Sequence, residues 1–227
     1  MSVTELPSLF VVDDDPREAE VCSYVARSAG FRPYAVTELG RMDDVVRRVE
    51  QERPAGVLCD HRLQFGQPAA YDGATLVAKL TAERVPSILV TTFVRDADVS
   101  IRLHRENIPV LLLRDQLSPE SLVKALEYCQ AEIDGHLAAD RKPYRILLRI
   151  AAVVDEASVP VAEAIIPNWN PVEIVRFPIS MIPQEMRPAN PASVVDLRYV
   201  AEANVGAARS EDLYFRNFEP APDLTLN

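Results

Sequence analysis

The chain has 227 residues and a formal net charge of −10 at pH 7, with 48% of its residues hydrophobic and 26% charged. That length predicts one or two domains, and the composition supplies packed cores rather than a disordered polymer. The acidic excess argues against a nucleic-acid or anionic-membrane surface, and no apolar run reaches the roughly 18 residues of a membrane span.

The N-terminal "MSVTELPS" lacks the basic start and apolar stretch of a secretory leader. Residues 9–16, "LFVVDDDP", run four apolar residues into three carboxylates and a proline. The apolar run predicts a strand, and the acids at its end repel one another unless a positive charge meets them. "REAEVCSYVARSAG" predicts a helix with Val21, Val25 and Ala29 on one face and Gly30 as its stop. "FRPYAV" is a weaker second strand, and "LGRMDDVVRRVEQERP" a helix ended before Pro54. "GVLCD" is a third strand and "GATLVAKLTAE" a third helix. "SILVTT" follows as a fourth strand, "DADVSIRLHREN" as a short helix and "PVLLL" as a fifth strand. "SPESLVKALEYCQAEIDGHL" opens with Ser118 as N-cap and Pro119 at the first helical position. Its Leu122, Leu126, Cys129, Ile133 and Leu137 recur at helical spacing to about residue 138. Alternating strands and helices of this kind imply an α/β parallel sheet covered on both faces.

The pattern changes near residue 140. Ten of the 18 prolines lie beyond it. "YRILLRIAAVV", "VEIVRFPISMIP" and "SVVDLRYVAEANV" have the partial alternation of strands. The expected organisation is an α/β domain over 1–139, a small β-rich domain over 140–219 and a flexible tail over 220–227. The odd set of Cys22, Cys59 and Cys129 sits in apolar patterns and reads as reduced core residues of a cytoplasmic protein.

In a doubly wound sheet of order 2-1-3-4-5, sites form beyond the carboxyl ends of the strands. Those ends carry Asp13 and Asp14, then Asp60, then Thr91 and Thr92, then Arg114. Three carboxylates, a hydroxyl and a cation would share one rim. Such a donor set suits a hard divalent cation such as Mg²⁺.

These residues, in this order, resemble a response-regulator receiver domain over the first 138 residues. The resemblance rests on the acid pair of "VVDD", Asp60 in "VLCDHRL", the Asp72-Gly73 turn, Thr91 in "ILVTT" and the helix opening "SPESLVKAL". It implies a flavodoxin-like fold and a signalling function, not an enzyme. Asp60 would accept a phosphoryl group from a histidine kinase or phosphotransfer protein. Mg²⁺ would sit on Asp13, Asp14, Asp60 and the backbone carbonyl of Arg62. Thr91 and Arg114 would contact the new phosphoryl group.

The chain departs from the family in three places. Arg114-Asp115 stands where the family has Lys-Pro, and a planar guanidinium fork differs from a compact ammonium. Twelve residues, including "QFGQPAAY", separate Asp60 from Gly73, more than the family's usual loop. Leu111 stands where a switch aromatic is frequent. These departures leave a second class open, a pseudo-receiver acting as a phosphorylation-independent binding or dimerisation module. A remote third is a haloacid-dehalogenase-like phosphatase, with Asp13 as nucleophile and Asp15 as acid.

Several residues also have simpler readings. Asp13 to Asp15 could cap the helix that Pro16 opens, and Arg114 could pair with Asp115 on the surface. Trp169 reads as a core or turn anchor. From residue 140 onward there are nine basic and twelve acidic residues, which argues against a DNA-binding output. The β-rich half is expected to engage a protein partner or a second copy of the chain. The apolar mass of "AIIPNWNP", "VRFPISMIP" and "LYFRNF" motivates that expectation. Tyr214, Phe215 and Phe218 read as core residues of a last strand rather than as an exposed anchor.

Overall fold

The computed structural model describes residues 6–63, 69–92, 99–156 and 159–222. It divides into two compact units, residues 1–94 with 107–136, and residues 95–106 with 137–227. Among the described residues, no helix is long and apolar enough to cross a membrane.

In chain order the first elements are β1 (Ser8–Val12), α1 (Pro16–Ser28), β2 (Arg32–Val36), α2 (Met42–Glu52), β3 (Gly56–Asp60), α3 (Gly73–Ala82) and β4 (Ser87–Thr91). A short α4 (Val99–His104) follows, then β5 (Val110–Leu113) and α5 (Pro119–Ile133). The five strands pair in parallel in the order β2-β1-β3-β4-β5, the flavodoxin-like arrangement read from the sequence. Consecutive residues Leu9, Phe10, Val11 and Val12 are all buried, as are Val57, Leu58 and Cys59, so the central strands are covered on both faces. One face packs Leu9, Val11, Leu58, Ile88 and Val90 against Ala19, Cys22 and Ala26 of α1 and Leu122, Leu126 and Cys129 of α5. All three cysteines are free and buried.

Two helix expectations need correction. Val21 of α1 is 56% exposed, and the buried positions are Ala19, Cys22, Ser23 and Ala26. Small side chains form the contact face, and apolar ranking by size misses them. Helix α5 stops at Ile133 rather than near 138. Gly135 takes φ +87°, Gly135 N–H donates to Glu132 O and His136 N–H donates to Ala131 O. That left-handed turn ends the helix before Leu137.

The second unit holds β6 (Tyr144–Glu156), β7 (Val159–Ile166), β8 (Asn170–Pro178), β9 (Arg198–Ala203) and β10 (Phe215–Pro220). They form an antiparallel sheet in the order β10-β9-β6-β7-β8. Its core gathers Ile146, Leu148, Ile150, Val175, Phe177, Tyr199, Leu213, Phe215 and Phe218. Tyr214, Phe215 and Phe218 are buried, so the core reading of the last strand holds. The Trp169 indole packs on the same core, and its Nε1–H donates to Ala207 O at 2.8 Å. Pro220 pairs with Tyr199, so β10 takes the first residue of the expected tail. Ile166, Phe177, Ile179 and Ile182 are also buried, while Val172 and Ile174 of β8 are exposed.

Helix α4 belongs to this second unit. Arg102 and Arg105 are buried there. Arg102 Nη1 donates to the carbonyls of Ser210 (2.9 Å) and Leu213 (2.6 Å). Arg105 Nη2 pairs with Asp212 at 3.0 Å. Buried Arg141 donates to the carbonyls of Arg105 and Glu106, and its guanidinium lies 4.8 Å over the Tyr214 ring. Guanidinium groups thus donate to backbone oxygens of the irregular segment 204–214, where Ser210 O also accepts the Leu213 N–H.

Candidate functional site

The strand register builds the acidic rim. Val12 of β1 lies beside Cys59 of β3, so the next residues, Asp13 and Asp60, come level at the carboxyl edge. Asp60 in turn lies beside Val90, and Thr91 beside Leu113, the residue before Arg114. Asp13, Asp14 and Thr91 are buried, and Asp60 is 11% exposed at its side chain.

The three successive acids divide their work. Asp15 Oδ1 accepts the Arg17 N–H at 2.9 Å and caps α1. Asp13 turns inward: its Oδ1 accepts the Asp15 N–H at 3.0 Å, and its Oδ2 accepts from Arg114 Nη2 at 3.1 Å. The capping reading therefore fits Asp15 and the rim reading fits Asp13. Asp15, the acid of the dehalogenase-like reading, has its Oδ1 on the Arg17 N–H.

Asp60 is held from both sides. Its Oδ2 accepts the Arg62 N–H at 2.8 Å, and its Oδ1 accepts from Arg114 Nη2. Gly73 explains the tight turn below it. Gly73 N–H donates to His61 O at 2.9 Å, and a Cβ at Gly73 would lie 1.9 Å from Asp60 O. Only glycine allows that approach. Asp72 caps α3 by accepting from the Thr75 N–H and hydroxyl, each at 2.8 Å. Residues 64–68 of the long loop lie outside the described residues.

Arg114 sits at the centre of the rim rather than pairing with Asp115. Its Nη2 bridges Asp13 and Asp60, and its Nη1 pairs with Glu18 of α1 at 2.9 Å. Glu18 is a member of this network that the sequence did not single out. Its position in the first turn of α1, within reach of Arg114 after β5, is a signal only once the helix direction is known. Burial disfavours the Arg114 charge, but the carboxylates of Asp60 and Asp13 outweigh that and hold its pKa above the ordinary value. Burial, reinforced by the Asp60 charge, pushes the Asp13 carboxyl up to about 6. The Asp15 N–H and Arg114 only partly offset that shift. The Cys22 thiol, 3.7 Å from Arg114 Nη1, is pushed up to about 11 by burial. It remains a protonated thiol.

The chemistry of the donors fits a hard cation, since Asp13, Asp14 and Asp60 supply only carboxylate oxygen. The geometry adds a condition. The carboxylate oxygens of Asp13 and Asp60 each accept a hydrogen bond, two of them from one guanidinium nitrogen. Among the described residues, no three His, Cys, Asp or Glu side chains converge as a metal cage.

No family model and no curated protein matches the chain. Among solved structures it is similar to a DNA-binding response regulator of the LuxR family from Staphylococcus aureus, at 20% identity and TM-score 0.42 over 55% of this chain and 99% of that one. It is similar to a CheY-like response regulator receiver domain protein from Methanospirillum hungatei JF-1, at 15% identity and TM-score 0.43 over 59% and 100% of the two chains. A third is the N-terminal domain of a response regulator/sensory box/GGDEF protein from Carboxydothermus hydrogenoformans, at 15% identity and TM-score 0.43 over 58% and 99%.

Proposed function

We propose that the first unit is a signalling receiver that accepts a phosphoryl group on Asp60, with Mg²⁺ held by Asp13, Asp14, Asp60 and the Arg62 carbonyl. The observation that carries this reading is the placement of Asp60. It ends the central strand β3, level with Asp13 and next to β4, whose last residue is Thr91. The Arg62 N–H fixes one of its oxygens, and the other faces the guanidinium.

In the reaction, the Asp60 oxygen forms a bond to phosphorus as the donor's P–N or P–O bond breaks, and the leaving group keeps the bonding pair. The product is an acyl phosphate. A bound divalent cation would screen the charge of the incoming phosphoryl oxygens. Arg114 offsets further negative charge, and the Thr91 hydroxyl is the donor on the β4 side. A histidine kinase or phosphotransfer protein would supply the group, and the second unit would carry the output to a protein partner or another copy of the chain.

A second reading draws on Arg114 itself. Its bridge from Asp13 to Asp60 is a closed ion-pair network, which a phosphorylation-independent binding module would keep permanently. One experiment separates the two. The full chain is incubated with acetyl phosphate and Mg²⁺, reduced with borohydride and mapped by peptide mass spectrometry. The receiver reading expects label on Asp60, lost in Asp60→Asn. Label elsewhere, or none with acetyl phosphate or a kinase, overturns it in favour of the module.

A further inference from the structure

The bridge that Arg114 makes has a consequence for the cation. The two oxygens that share Nη2, Asp13 Oδ2 and Asp60 Oδ1, face each other across the rim. A cation shared by these two carboxylates would lie between the same two oxygens, because they are the pair that face each other, while the outer pair accepts from the Asp15 and Arg62 amides. A guanidinium and a divalent ion cannot both occupy that span: they would compete for the same lone pairs and repel each other at contact distance. The other arm of the fork is already outside the pair, on Glu18, whose side chain is 45% exposed. Arg114 therefore has a partner that a cation on the rim would not displace.

We infer that Arg114 is the resident counter-ion of the acidic rim and that a divalent cation binds only by evicting its Nη2 arm from Asp13 and Asp60. This inference rests on the receiver reading for the presence of the cation, but it concerns the arginine. The metal-free rim is already partly neutralised, so binding exchanges one cation for another. Affinity is lower than the carboxylates alone would give. A shorter apolar side chain at 114 would raise it, although it removes a group from the site.

The test uses the full chain and Mn²⁺, with the free ion read by its electron paramagnetic resonance signal. Mn²⁺ is titrated into wild type, Arg114→Met, Arg114→Lys and Asp60→Asn. The inference expects Arg114→Met to bind at least about tenfold tighter than wild type, a ratio equivalent to about 1.4 kcal/mol. Arg114→Lys should fall between them, because one ammonium cannot span two carboxylates as the fork does. A parallel readout is thermal: Mg²⁺ should raise the melting temperature of Arg114→Met more than that of wild type. Equal or weaker Mn²⁺ binding in Arg114→Met overturns the inference. The receiver reading survives that result if wild-type binding is lost in Asp60→Asn. If Arg114→Met does not fold, the lysine variant decides by the same criterion. Absence of Mn²⁺ binding in every variant overturns both.

Discussion

Gly73 lies so close to Asp60 that a single methyl group at residue 73 would meet the Asp60 carbonyl oxygen at 1.9 Å. The obstacle is backbone, not the far end of a flexible side chain. Gly73→Ala must therefore move either α3 or the end of β3. We expect a loss of at least about 2 kcal/mol in denaturant unfolding together with weaker Asp60 labelling. Wild-type stability in Gly73→Ala would mean that the turn yields without cost.

Asp212 gives the second unit an acid-sensitive contact. Burial would push its carboxyl up, but the hydrogen bond from Arg209 and the charge of nearby Arg105 hold it below the ordinary 3.8. A lowered folded value means that the unfolded chain binds the proton more readily. The contribution is then present above pH 3.8 and disappears as pH falls through the folded value. Unfolding followed by Trp169 fluorescence between pH 5 and 2 should show stability falling with pH. Asp212→Asn should cost about 1–3 kcal/mol at pH 7 and flatten that slope. An unchanged slope would assign the acid sensitivity to other carboxylates.

Arg102 makes a comparable prediction through backbone carbonyls. Its guanidinium serves the carbonyls of Ser210 and Leu213 from a buried position. Arg102→Met keeps most of the length and leaves those oxygens short of a donor. We expect about 2–4 kcal/mol of destabilisation in the Trp169 signal. A chain ending at residue 140 removes every one of these partners. In hydrogen exchange, amides of 99–106 that are protected in the full chain should then exchange fast. Retained protection would show that the segment does not depend on them.

The parts of the fold that were legible in the sequence share one property, local repetition. Apolar runs of three or four residues fixed β1, β3, β4 and β5, and caps such as Ser118 with Pro119 fixed the start of α5. The rim residues Asp13, Asp60, Thr91 and Arg114 followed, because strand ends in this topology share an edge. What stayed illegible depends on contacts distant in sequence. Val21 looks like core until Ala19 and Cys22 are seen to make the closer approach. Residues 95–106 look like part of an α/β repeat, yet the carbonyls that Arg102 takes belong to Ser210 and Leu213. The target of Arg114 was ambiguous for the same reason. Asp115 is adjacent in sequence, whereas Asp13, Glu18 and Asp60 are adjacent only in the folded sheet.

Asp13 provides the last prediction, on the cost of the rim without a cation. It is buried, it faces Asp60, and one guanidinium is shared between the two. Desolvation and repulsion oppose its ionised form, while the Asp15 amide and Arg114 support it. Asp13→Asn keeps an acceptor oxygen for one of the two donors and removes the charge that Asp60 repels. With chelator at pH 7 the variant should be more stable than wild type, by on the order of 1–2 kcal/mol. For a chain of this length that is a rise of several degrees in melting temperature. The same substitution removes a carboxylate that a divalent cation needs, so added Mg²⁺ should stabilise wild type and leave Asp13→Asn unmoved. The two melting temperatures would then approach one another as Mg²⁺ is raised. If Asp13→Asn is instead less stable in chelator, the Arg114 ion pair outweighs desolvation and repulsion together, and the metal-free rim stabilises the fold rather than straining it.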